Sequence, residues 1–129
     1  MDMNSDPKET DPRELVLRCV ESYGKGDLDA VALLVHDDYV DHGIPFQTST
    51  KADWITVARE LPLAQLRIDI RRLVAEGDYV TMFSRRWLPG GELDIAVADV
   101  FRLRDGLIAE RWEIVEQIPT DSPNPVATL

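Results

Sequence analysis

The period of the hydrophobic pattern changes once in this chain, near residue 63, and that change limits the folds open to it. Beyond it, Leu66, Ile68, Ile70 and Val74 alternate with Arg67, Asp69 and Arg71. The turn-forming pieces "EGDY", "PGGE" and "RDGL" then separate three further runs: "YVTMFSRRWL", "LDIAVADVFRLR" and "IAERWEIVEQI". Side chains two apart in a strand share a face, and tight turns join antiparallel neighbours. The pattern therefore predicts an antiparallel meander formed mostly by residues 64–117, with one face to bury.

Before residue 63 the spacing is helical. Asp11 is placed as an N-cap, Pro12 at the first helical position and Glu14 three residues after the cap. Leu15, Cys19 and Tyr23 then recur at steps of four beside Val16 and Val20, and Gly24 or Gly26 ends the run. Asp27 can cap a second helix over "LDAVALLVH", and "YVDHGIPF" reads as a short strand entering a loop. A third helix, "TKADWITVARELP", starts near Ser49 or Thr50 and stops at Pro62. The fold class expected is α+β, three N-terminal helices packed on a strongly curved antiparallel sheet that encloses a pocket. Residues 11–118 form the single domain, and 1–10 and 119–129, polar and proline-bearing, read as flexible tails.

The charge balance, 24 acidic against 14 basic residues, argues against nucleic acid or an anionic membrane as partner. Cys19 is the sole cysteine, so neither an intrachain disulfide nor a multi-cysteine zinc site can form. No apolar run approaches the roughly 20 residues of a membrane span. The opening "MDMNSDPKETD" lacks a basic-then-apolar signal pattern, so a cytoplasmic location is expected. His36, beside Asp37 and Asp38, reads as surface, and two separated histidines do not suggest a metal centre. No glycine-rich phosphate loop, nucleophile elbow or Cys–His pair is present, so no metal and no cofactor are expected. Proton transfer in an apolar pocket remains.

Asp99 is the residue that points to such chemistry. It interrupts the stripe Leu93, Ile95, Val97, Phe101, Leu103, where an unpaired charge is costly. It is either half of a structural salt bridge or an acid/base whose pKa burial raises. Its cross-strand neighbour depends on "RDGL". A two-residue Asp105-Gly106 loop puts Trp112 opposite Asp99, as the stripe Ile108, Trp112, Ile114 favours. A three-residue loop with left-handed Gly106 brings Arg111 and Glu113 to its face instead. Trp54, Phe46, Phe83 and Trp87 are core residues or the lining for a small apolar molecule. Arg85, sharing a face with Phe83, Trp87 and, across a two-residue hairpin, Ile68, meets an anionic group, Asp99 or a structural partner.

"KGDLDAV", "YVDH", "EGDYV" and "ADVFRLRDGLIAERWEIVEQIP" resemble the SnoaL-like branch of the nuclear transport factor 2-like superfamily, over roughly residues 11–119. The resemblance implies a cone-shaped barrel with a deep apolar pocket, and often a homodimer. It places Asp99 where aldol-type polyketide cyclases carry an acid/base. His42 falls near the general base of ketosteroid isomerases, and Cys19 where those isomerases carry a tyrosine. Val97 stands where related epoxide hydrolases carry an arginine. Relatives with "EHWDV" at "ERWEI" favour the loop that turns Arg111 and Glu113 inward, leaving Trp112 outside on a dimer face. The catalytic set expected is thus Asp99, His42 and Arg111. Val97, Phe101, Glu113, Cys19 and Tyr23 complete the pocket wall with the aromatic residues and Arg85. The function implied is a cofactor-independent cyclase, isomerase or dehydratase acting on an apolar, polyketide-like carbonyl compound. The alternatives are a non-catalytic ligand-binding or dimerisation module and an epoxide hydrolase.

Overall fold

A computed structural model describes residues 11–43, 50–124 and 126–129. Helix α1 (Pro12–Gly24) begins where the Asp11 carboxylate accepts the Arg13 N–H at 3.0 Å, with proline in the first turn. It ends ahead of Gly26, whose φ of +73° needs a residue without a Cβ. Asp27 caps α2 (Leu28–Leu34) through Ala30 N–H, and Thr50 caps α3 (Lys51–Ala58) through Asp53 N–H. Among the described residues no helix is long and apolar enough to cross a membrane.

The sheet has five strands: β1 (Val35–His42), β2 (Arg67–Glu76), β3 (Tyr79–Trp87), β4 (Asp94–Arg104) and β5 (Leu107–Gln117). Their spatial order is β1-β5-β4-β3-β2, antiparallel throughout β2–β5 and parallel between β1 and β5. Its curved inner face packs on the helices, burying Val16, Val31, Val80, Met82, Val97 and Ile108 almost completely. Strand β1 is longer than the sequence suggests. It takes Val35 and His36 from the expected second helix, because buried Val35 and Tyr39 must reach the core from an extended backbone.

Two bulges decide which side chains face inward. Asp105 and Gly106, at φ +56° and +74°, form the two-residue hairpin loop, with Arg104 opposite Leu107. Leu103 still pairs with Ile108, but Arg102 pairs with Glu110, so Ala109 is an extra residue. Ile108 and Ala109 are consecutive and both buried at this bulge. Beyond the bulge Arg111 opposes Phe101 and Glu113 opposes Asp99, while Trp112 turns outward. The inward arginine therefore comes from the bulge and not from a three-residue loop.

The second bulge, at Arg71, shifts β2 against β3, so Ile68 opposes Arg86 instead of sharing a face with Arg85. Leu73 and Ala75 face the core above it, and Val74 is exposed, contrary to the simple alternation.

Candidate functional site

Asp99 has no exposed surface, and β4 sets Val97 and Phe101 on either side of it. Arg86 of β3 donates to its Oδ2 at 2.6 Å. Arg86 also donates to Ser84 Oγ (3.3 Å) and to Glu113 Oε2 (3.4 Å). Arg111 donates to the same Glu113 oxygen at 2.9 Å and to Asp41 Oδ2 at 2.8 Å; its nearest approach to Asp99 Oδ1 is 3.6 Å. Asp41 is further held by the Tyr39 hydroxyl (2.8 Å) and the Gly43 N–H (2.7 Å). A Cβ at Gly43 would come within 2.7 Å of Asp41 Oδ1, so this backbone approach needs glycine.

The result is a buried cluster of three carboxylates (Asp41, Asp99, Glu113) and two guanidiniums (Arg86, Arg111), with side-chain exposures of 12% or less. Ionised throughout, it carries one excess negative charge. Burial raises the Asp99 pKa to about 7, against the opposing pull of Arg86 and Arg111, and Glu113 adds to the rise. Asp99 Oδ1 and Arg111 Nε have no hydrogen-bond partner among the described residues. Burial tends to lower the Arg111 pKa, but Glu113, Tyr39, Asp99 and Asp41 outweigh it and leave the pKa raised. The Cys19 thiol is pushed up to about 12 by burial, and Tyr39 is raised by burial too, so both stay protonated.

Above the cluster lies a cavity of about 410 Å³, a size suited to a small organic ligand. Tyr23, Trp54, Leu63, Ile95, Val97 and Val115 are among its apolar walls, and Arg86, Arg111 and Glu113 are its charged floor. A second space, of about 30 Å³, lies among Cys19, Tyr23, Tyr39, Phe101 and both arginines. Asp99 lines neither space; it lies beneath Arg86, Arg111 and Glu113 and reaches a ligand only through them. Among the described residues no group of three or more His, Cys, Asp or Glu side chains is placed to hold a metal ion.

The structure corrects four placements. His42 does not face Asp99. It lies on the outer face with its side chain 42% exposed, bonded through Nε2 to Glu110 Oε2 at 2.6 Å and stacked on Trp112. In β1, Asp41 is the inward residue and its neighbour must point outward. Phe83, Arg85 and Trp87 are likewise on the outer face. Asp99 opposes Met82, so Met82, Ser84 and Arg86 share the inner face with it. Arg85 instead grips Asp94 with two bonds of 2.9 and 2.8 Å and lies over Trp87. Phe46 lies outside the described residues. Arg86 and Asp41 were missed from sequence. The signal available for Arg86 was the pair Arg85-Arg86, since adjacent strand residues point to opposite faces.

The outer position of His42 makes a direct prediction. His42→Ala should cost only the ~0.2–1 kcal/mol of a partly exposed pair, measured by urea denaturation.

A family model described as a SnoaL-like domain matches residues 16–111. No sequence among the curated proteins matches the chain. Solved structures share the fold at low identity. An NTF2-like protein of unknown function from Cytophaga hutchinsonii is 14% identical, with TM-score 0.72, over 88% of this chain and 95% of that one. A proposed ketosteroid isomerase from Kribbella flavida is 16% identical (TM-score 0.73; 87% and 82% covered). IdmH, a proposed polyketide cyclase from Streptomyces antibioticus, is 20% identical (TM-score 0.67; 81% and 91% covered).

Proposed function

The chain belongs to the SnoaL-like domain family of the NTF2-like superfamily, and from that premise we propose that it is a cofactor-independent acid/base enzyme acting on an apolar carbonyl compound. The observation that carries this reading is the excess carboxylate buried under the apolar cavity. In the first step the Glu113 carboxylate takes a proton from the carbon beside the substrate carbonyl. The C–H electron pair moves into the new C=C bond, and the carbonyl becomes an enolate oxygen held by guanidinium N–H groups of Arg111 and Arg86. Fixed donors aimed at developing charge supply much of the acceleration in such reactions. Asp99 acts through Glu113, the carboxylate opposite it across the strands, which strengthens the hold of Asp99 on its own proton. Return of the proton to another carbon gives isomerisation. Attack of the enolate on a second carbonyl gives cyclisation, and loss of hydroxide gives dehydration.

The test is exchange of α-protons of apolar ketones in D₂O, followed by NMR. Wild-type protein should catalyse exchange, and Glu113→Gln should slow it by about 10²–10⁴-fold, the usual worth of a general base. Absence of exchange across a panel of apolar ketones and β-diketones would sink the enzyme reading and leave the ligand-binding module.

A second reading, epoxide opening by water, draws on Arg86 bridging Asp99 and Glu113. It compensates for the lack of an arginine at Val97, with Glu113 as base toward water. Diol formation from apolar epoxides, without ketone exchange, would favour it.

The outer face of β1, β5, β4 and β3 is proposed to pair with a second copy of the chain. Trp112, stacked on His42 and near Tyr79, sits there beside Ile114, which is 73% exposed. Such an apolar patch suits an interface between copies. Sedimentation at micromolar concentration should give twice the 14.6 kDa chain mass, and Ile114→Glu should return it to the monomer. A wild-type monomer would refute the pairing.

A further inference from the structure

Resting on the proton-transfer reading of the cavity, we propose that this site selects neutral carbonyl compounds and rejects their carboxylate analogues. The two arginines on the floor look at first like an anion receptor. Their charges are already spent. Arg86 is engaged by Asp99, Glu113 and Ser84, and Arg111 by Glu113 and Asp41. Glu113 on the floor, with Asp41 and Asp99 buried directly behind it, makes three carboxylates against two guanidiniums, an excess negative charge when all are ionised. Among the described residues no charged side chain besides Arg86, Arg111 and Glu113 lines the cavity. An anionic ligand group would add a second uncompensated charge where apolar walls exclude water, which is costly.

A neutral carbonyl meets none of that repulsion. A guanidinium carries five N–H donors, and Arg111 commits one to Glu113 and one to Asp41. Its remaining N–H groups suit an uncharged acceptor oxygen. Enolate formation is consistent with the same charge count. A proton moved from neutral substrate to Glu113 leaves the total charge of site and substrate unchanged, whereas an anionic substrate would start and stay one charge higher.

A matched pair of probes tests this: 2-acetylnaphthalene and 2-naphthoate, which share a ring system and differ by a methyl group against a charged oxygen. Calorimetric titration of the wild-type protein at about pH 8, above the raised Asp99 value of about 7, should favour the ketone by roughly tenfold or more. Glu113→Gln removes one negative charge from the floor and should shrink or invert that ratio. Asp99→Asn serves the same purpose if the first variant does not fold. Naphthoate binding as tightly as the ketone in the wild type would overturn the proposal, as would binding of neither probe. A ketone that binds selectively but shows no proton exchange supports charge selection while removing the catalytic reading. Exchange together with equal binding does the reverse.

Discussion

Arg86→Met is expected to destabilise the protein by about 3–5 kcal/mol at neutral or higher pH, the usual cost of breaking a buried ion pair. Arg86 is the sole donor at hydrogen-bond distance to Asp99 among the described residues, and it shares Glu113 with Arg111. Methionine fills the space but leaves Asp99 facing only Arg111, 3.6 Å away. Asp99 can escape by keeping its proton, so the loss should be smaller near pH 5 than near pH 8. Adding Asp99→Asn should recover most of the stability, because the stranded carboxylate is gone. Urea denaturation of the two single variants and the double variant gives the coupling directly. A loss below about 1 kcal/mol, the scale of exposed pairs, would mean that the cluster is solvated and not buried.

Asp99→Asn alone should act in the opposite sense on stability. The change keeps the shape, leaves two carboxylates facing two guanidiniums, and removes a charge that burial disfavours. In the unfolded chain an aspartate ionises near 3.9. In the folded protein Asp99 keeps its proton up to about 7. Between those values the folded state binds more protons than the unfolded one, so stability falls as pH rises through the window. The penalty is complete above about 7, and asparagine does not carry it. The melting temperature of Asp99→Asn should therefore match wild type near pH 4 and exceed it increasingly up to pH 8. On the acid/base reading proposed above, α-proton exchange should slow as well, because Glu113 loses the buried carboxylate opposite it across β4 and β5. A sharp drop in melting temperature, restored by Arg86→Met or Arg111→Met, would instead make Asp99 one half of a structural pair.

The amino-acid sequence by itself determined the element types and the anomaly at their centre. Asp11, Asp27 and Thr50 cap helices because their side-chain oxygens reach free N–H groups of the first turn. Asp105-Gly106 makes a tight hairpin because both residues tolerate positive φ. Asp99 falls in an otherwise apolar stripe, which local alternation alone reveals. Tertiary structure decided which charged neighbours meet it. The extra residue at Ala109 reverses the faces of Arg111 and Trp112, and the one at Arg71 reverses those of Ile68 and its partners. A one-residue shift moves every later side chain to the opposite face, and bulge positions depend on packing that no local pattern records. Arg85 or Arg86, and Asp41 or His42, are equivalent choices along the chain. Only the curvature of the sheet and the burial of Tyr39 and Met82 sent Arg86 and Asp41 into the cluster and left Arg85 and His42 outside.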